Sequence, residues 1–268
     1  MSIITISRGS HSMGKTVAER VASRLGYECL SRDVLLEASD RFNVPEIKLQ
    51  KAIHDSPSIL ERYTHGKQTY IAFIQSALTG HVSKDNVVYH GLAGHLLLKN
   101  VSHVLKVRII ASLDLRVKIV MERERCGQQE AASSISKLDN ERRKWTRNLF
   151  HVDPWDPTLY DLMLNLPRYT VDDAVDLISR SAELKQFQTT VESQQEMDDL
   201  ALASQIKAAV VEKHPEISVA CRYGNVLVYC AAGDRHERKV KASLDQMSTA
   251  GIHNVEIHAG VSPPANAV

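Results

Sequence analysis

The residues best placed to do chemistry stand near the start of the chain. Gly9-Ser10-His11-Ser12-Met13-Gly14-Lys15-Thr16 matches the phosphate-loop pattern G-x-x-x-x-G-K-[ST] at every position. Its flanks suit that role. Ile3, Ile4 and Ile6 predict a buried strand running into the loop, and Val17, Val21 and Leu25 predict a helix with one apolar face behind it. The two glycines let the backbone curl until several N–H groups face one anion, and the helix adds the positive end of its dipole. Residues 9–16 are thus expected to hold the phosphates of ATP. Lys15 would reach the β- and γ-phosphates, and the Thr16 hydroxyl would ligate Mg²⁺.

Composition narrows the field around this motif. The 268 residues are 43% hydrophobic and 24% charged, with a formal charge of +1. That charge makes no general case for a nucleic-acid polymer or a membrane surface, so any basic site must be local. No stretch approaches the roughly 18 to 20 apolar residues of a membrane helix, and the first residues lack the pattern of a secretory leader. Cys29, Cys126, Cys221 and Cys230 have no metal-site spacing. Cys221 and Cys230 could meet across a hairpin, but free thiols fit the expected cytoplasmic setting better.

The elements that must position the loop alternate strand with helix. Strands are predicted at 27–30, 86–89, 104–111 and 159–165. Helices are predicted from Asp33, across 45–80, from Leu92 to Leu98, near 115–127 and over 130–150. Thr170-Val171-Asp172-Asp173 resembles a capping box opening another. This alternation implies an α/β fold whose parallel sheet is covered on both faces, with ligands at the carboxyl ends of its strands. Residues 185–197 are polar, without a convincing apolar stripe, and are expected to be a linker or a frayed helix end. Residues 198–260 then follow an α-β-β-α-β order, a small α+β domain, before a loose tail at 261–268.

Two arginine clusters offer the positive charge that phosphoryl transfer requires. Arg116, Arg123 and Arg125 lie on one predicted helix. Arg142, Arg143 and Arg147 lie on the next, with Lys137 and Lys144 beside them. Interspersed Glu122, Glu124 and Glu141 also suit a solvated face. Arg32 and Asp33 follow the second strand, where an acceptor could be met, although Asp33 could equally cap its own helix.

Residues 1–184 resemble the cytidylate kinase-like family of P-loop nucleoside-monophosphate kinases. The resemblance rests on Ile3-Ile4-Thr5-Ile6-Ser7-Arg8-Gly9 running into Gly14-Lys15-Thr16, and on Leu30-Ser31-Arg32-Asp33-Val34-Leu35. It continues through Ala111-Ser112-Leu113-Asp114-Leu115-Arg116, Leu138-Asp139-Asn140-Glu141-Arg142 and Tyr160-Asp161-Leu162-Met163-Leu164-Asn165. It implies a P-loop kinase fold and transfer of phosphate from ATP to a nucleoside monophosphate. Lys15, Arg116, Arg125 and Arg142 would be catalytic, and Arg32 and Asp33 would bind the acceptor. The helices carrying the arginines would form a lid. The C-terminal unit resembles a BON domain through Gly224-Asn225-Val226-Leu227-Val228 and Gly251-Ile252-His253-Asn254-Val255-Glu256-Ile257, and its ligand is unspecified. Two features depart from the family. Gly91-Leu92-Ala93-Gly94 lacks the arginine expected after the third strand, and no apolar run ends in a metal-binding aspartate. Tyr89, His90 and His95 flank that gap, as phosphate ligands or as structural side chains. The departures keep two alternatives open: a kinase of another small molecule, or a nucleotide-gated module with output through the C-terminal domain. Homo-oligomers fit any of these readings.

Overall fold

A computed structural model describes residues 2–31, 33–43, 64–91, 93–245 and 251–268. The first helical region therefore divides. Its part over residues 44–63 lies outside the described residues, as do Arg32 and Leu92. Five strands form one parallel sheet: β1 (Ile3–Arg8), β2 (Glu28–Leu30), β3 (Val87–Tyr89), β4 (Val104–Ala111) and β5 (Leu162–Leu166). Their order is β2-β3-β1-β4-β5, which puts β1 at the centre. The strand that feeds the phosphate loop is thus buried on both edges and both faces.

Side-chain alternation explains the two cores. Ile4 and Ile6 point to one face with Leu105, Val107, Ile109, Leu164 and Leu166. There α1 (Gly14–Leu25) and α7 (Val171–Ala182) cover them with Val17, Val21, Val175 and Ile178. The capping box at Thr170 and Asp173 is made in both directions, which fixes where α7 begins. Ile3, Val87, Tyr89 and Val104 point the other way. They meet α2 (Asp33–Phe42), α3 (Thr64–Val82) and α4 (Gly94–Leu97). Two further helices, α5 (Leu113–Glu124) and α6 (Gln128–Phe150), form an antiparallel pair with a small core of Val117, Val120, Ala131 and Ile135.

The C-terminal residues build a separate sheet. After α8 (Val191–Val210) come β6 (Ser218–Arg222), β7 (Asn225–Cys230), α9 (Asp234–Asp245) and β8 (Asn254–Ala259). β6 and β7 are antiparallel, and β7 and β8 parallel. Cys221 stands opposite Val226, so the hairpin register keeps it from Cys230, and both thiols are free. Among the described residues no helix is long and apolar enough to cross a membrane.

Two expectations about the joints change. Residues 191–197, read as polar linker or frayed helix end, are the first turns of α8, opened by a capping box at Thr190 and Ser193. The helix has no single apolar stripe because it is buried on more than one side. Met197 and Leu200 enter the core of the first unit, while Ala203, Ile206 and Val210 enter the core of the second. Ala208 and Val211 pack on Ala72 and Phe73. The tail is also held. Val268 and Val219 exchange backbone hydrogen bonds of 2.8 and 3.0 Å, and Lys99 Nζ donates to the Ala267 carbonyl at 3.0 Å. A loose tail was expected from its Pro-Pro and small residues, but the open edge of β6 offers it backbone partners.

Sharing one helix between cores makes the units cooperate. A chain ending after Glu192 loses Met197 and Leu200 from the first core. Met197→Ala alone should cost about 2 to 5 kcal/mol, the usual range for emptying such a site. Urea unfolding of the full chain and of Met197→Ala measures this, and an unchanged midpoint would show that α8 adds nothing to the first unit.

Candidate functional site

The phosphate loop leaves the central strand and is stapled before it reaches the helix. Gly9 N–H donates to the Ile109 carbonyl at 3.0 Å, and Ser12 Oγ donates to the Gly9 carbonyl at 2.9 Å. His11 and Met13 both take left-handed backbone angles, φ 56° and 62°. Such angles are unusual for side-chain-bearing residues and curl the loop into a concave nest of N–H groups. Met13 precedes α1 without any side-chain cap, so the first N–H groups of the helix face the pocket unshielded. Gly14 is required for another reason. A Cβ there would stand 2.7 Å from Cβ of Arg8, inside contact distance.

A cavity of about 480 Å³ opens over this nest, lined by residues 8–16 with Arg123 and Arg142 from the helical pair. Every expected loop residue from Gly9 to Thr16 lines it. Lys15 and Thr16 are exposed toward it, and Lys15 Nζ lies 3.6 Å from Glu19. The expected catalytic arginines separate. Arg142 lines the cavity, half-buried, with its buried Nε lacking a partner. Arg116 stands at the loop's other wall, within 3.4 Å of the Ser10 carbonyl. Arg125, named from sequence, is exposed at the left-handed end of α5 and does not line the cavity; Arg123, two residues earlier, does. Helical spacing alone separates the two by about 200°. Of the expected acceptor residues, Arg32 lies outside the described residues, and Asp33 is described only as the first residue of α2.

Asp139 was visible in the sequence as part of a motif but had no assigned role. Its carboxylate accepts from Ser10 Oγ at 2.5 Å, from Ser10 N–H at 3.2 Å and from Arg116 at 2.5 Å. Burial alone would raise its pKa, but the bonds to Arg116 and Ser10 outweigh burial and hold the carboxyl below its usual range. A carboxylate from α6 thus occupies donors of the phosphate loop. The helix supplying Arg142 is anchored there by an ionic bond.

Sequence reasoning also missed Arg8 and Arg108. Arg8 donates to His90 Nδ1 at 3.1 Å. Arg108 is 8% exposed, donates to Tyr160 Oη at 2.9 Å and lines a smaller cleft beside Arg116 and Trp155. A strand arginine reads as an interruption of a hydrophobic run, which is the signal available for both. Burial, then Arg142, lowers the pKa of Arg8. The histidines flanking the third strand are neutral. Burial, then Arg8, pushes His90 down to about 4, and burial, then Arg108, pushes His95 down to about 3. His95 Nε2 lies 3.2 Å from Tyr160 Oη, and its Nδ1 is buried without a partner.

Two expectations follow from these side chains. Asp139→Asn keeps the shape and removes the competing charge, so Mg·ATP should bind tighter by roughly threefold, about 0.7 kcal/mol. Calorimetric titration measures it, and weaker binding would place Asp139 among the groups the bound state needs. The second concerns acid. An unfolded histidine titrates near 6.5, so the unfolded chain takes up more protons below that pH than the folded one. The stability due to neutral His90 and His95 is complete above about pH 6.5 and is lost as pH falls toward 4. Replacing His95 by Gln should flatten the decline by up to about 1.4 kcal/mol per pH unit. Urea midpoints at pH 7, 6, 5 and 4.5 test it; parallel slopes for both proteins would refute it.

Comparison with known proteins agrees with this architecture. The cytidylate kinase-like family matches residues 3–168. The chain is similar to the cytidylate kinase of Sulfolobus acidocaldarius, 26% identical over 176 residues, covering 65% of this chain and 91% of that protein. It is also similar to the cytidylate kinase of Archaeoglobus fulgidus, 26% identical over 189 residues, covering 69% and 96%. An uncharacterized protein from Eubacterium ventriosum shares the fold, with a TM-score of 0.53 at 19% identity, covering 69% of this chain and 100% of the other. The family match ends at residue 168, before the C-terminal sheet begins. With a family match across more than half its length, and a phosphate loop on the central strand of the sheet, this chain belongs to the cytidylate kinase-like family and is a nucleotide kinase.

Proposed function

We propose that the protein transfers the γ-phosphoryl group of ATP to a nucleoside monophosphate, with CMP the first acceptor to test. The carrying observation is the cavity over residues 8–16, where uncapped helix N–H groups meet Lys15, Arg123 and Arg142. An enzyme of this class works by holding the reacting groups in line and neutralising charge as it moves. The loop N–H groups would hold the β-phosphate. Lys15 would bridge β- and γ-oxygens once drawn from Glu19, 3.6 Å away. Arg142 is half-buried and its buried Nε has no partner, which suits it to the transferring group. Arg116 would join it when Asp139 releases.

The fit to magnesium rests on Thr16, whose hydroxyl-bearing side chain is exposed at the cavity. Among the described residues no His, Cys, Asp or Glu cluster could hold a metal, and Mg²⁺ commonly keeps several waters with few protein ligands. Bound there, it would screen the charge of the β- and γ-phosphates.

The acceptor's identity rests on the named relatives, and position 92 argues for weak use of CMP. A second reading, in which nucleotide binding signals through the BON-like unit, has one observation in its favour: α8 lies in both cores. Coupled-assay turnover of ATP with CMP, UMP, AMP and GMP decides. ADP formation with one of them, abolished in Lys15→Met but without loss of fold, supports the kinase reading. Nucleotide binding without turnover of any of the four supports the second.

A further inference from the structure

Arg8 has no carboxylate partner among the described residues. It donates instead to a neutral imidazole, His90 Nδ1, at 3.1 Å. The acid closest to it in influence, Glu19, pairs with Lys15 instead. Arg142, the next cation, has a buried Nε without a partner, and both arginines line the phosphate-loop cavity. Guanidinium groups stay charged at any ordinary pH. Two such charges half out of water, repelling one another, cost free energy unless an anion enters between them.

Strand register places this pair. Thr5 is level with Tyr89, so β1 carries Arg8 on to the level of the turn that follows β3. At that turn the family resemblance implies an arginine, and the sequence there reads Gly91-Leu92-Ala93-Gly94. The missing side chain of Gly14 makes room for the arginine's stem.

We infer that Arg8 binds a second phosphate group, that of the acceptor, with His90 as the positioning residue that aims it and Arg142 closing from the lid. Arg8 would thus stand in, from the neighbouring strand, for the absent cation. The inference rests on the kinase reading for its acceptor, but its phosphate chemistry is measurable without turnover.

The test titrates inorganic phosphate into the full chain saturated with Mg·ADP. Wild type should bind one phosphate. Arg8→Met, which keeps the stem that packs on Gly14, should weaken it at least tenfold, about 1.4 kcal/mol, with ADP affinity held within about twofold. Arg8→Lys should recover part of the loss. His90→Leu should weaken phosphate binding, and His90→Gln, whose amide oxygen can still accept from Arg8, should restore it. If Arg8→Met does not fold, the lysine and the two histidine variants carry the comparison. Equal phosphate affinity in the variants, or no phosphate bound by wild type, overturns the inference. A parallel loss of ADP affinity overturns it too, because Arg8 would then serve the donor. Where a monophosphate is turned over, its KM should rise in Arg8→Met while that for ATP holds. Failure of all four monophosphates to turn over would sink the kinase reading and leave the phosphate titration to judge Arg8.

Discussion

Everything at the carboxyl end of the sheet follows from an imbalance of charge. Arg8, Arg116 and Arg142 are withdrawn from water around one loop, and among the described residues Asp139 is the carboxylate hydrogen-bonded to that group. A buried cation without a partner is expensive, so the arrangement is stable only if something else offsets it. Hydroxyls, carbonyls and neutral imidazoles do part of that work, and a phosphate-bearing ligand would complete it. Burial first, and then the neighbouring guanidiniums of Arg8 and Arg108, keep His90 and His95 uncharged.

That charge can be held in place because the scaffold beneath it is apolar and rigid. β1 is flanked by β3 and β4 and covered on both faces, so Arg8 and Gly9 leave the sheet at a defined height. The lid pair α5 and α6 has only a small core of its own. The far end of α6 is held by packing, with Trp145, Leu149 and Phe150 in the core behind β1 and β3, while at the loop the pair is tied by the polar bonds between Asp139, Ser10 and Arg116. The loop end of the pair, held by polar bonds, is easier to move than the end held by a core.

The C-terminal unit bears on the same scaffold. Its sheet has its own apolar cluster, yet α8 also lends Met197 and Leu200 to the core behind β1 and β3. The last residues pair with β6 and accept a hydrogen bond from Lys99, which precedes β4. Ala208 and Val211 of α8 also pack on Ala72 and Phe73 of α3. This is a physical route by which a small second domain could influence the first.

Local chemistry made the phosphate loop, the strand–helix alternation, the capping box at Thr170 and the α-β-β-α-β order legible in the sequence. Each depends on neighbours a few residues apart, where glycine, cap and period rules apply directly. The family resemblance was legible for the same reason, through short motifs in order. Tertiary structure alone decided which of Arg123 and Arg125 faces the cavity, because that depends on where α5 ends and how it lies over the loop. It alone revealed Arg8 meeting His90 from 82 residues away, and Asp139 meeting Ser10 from 129 away. It also turned a polar stretch into a helix buried between two cores. A side chain's solvation and partners are set by contacts distant in sequence, and no periodicity along the chain encodes them.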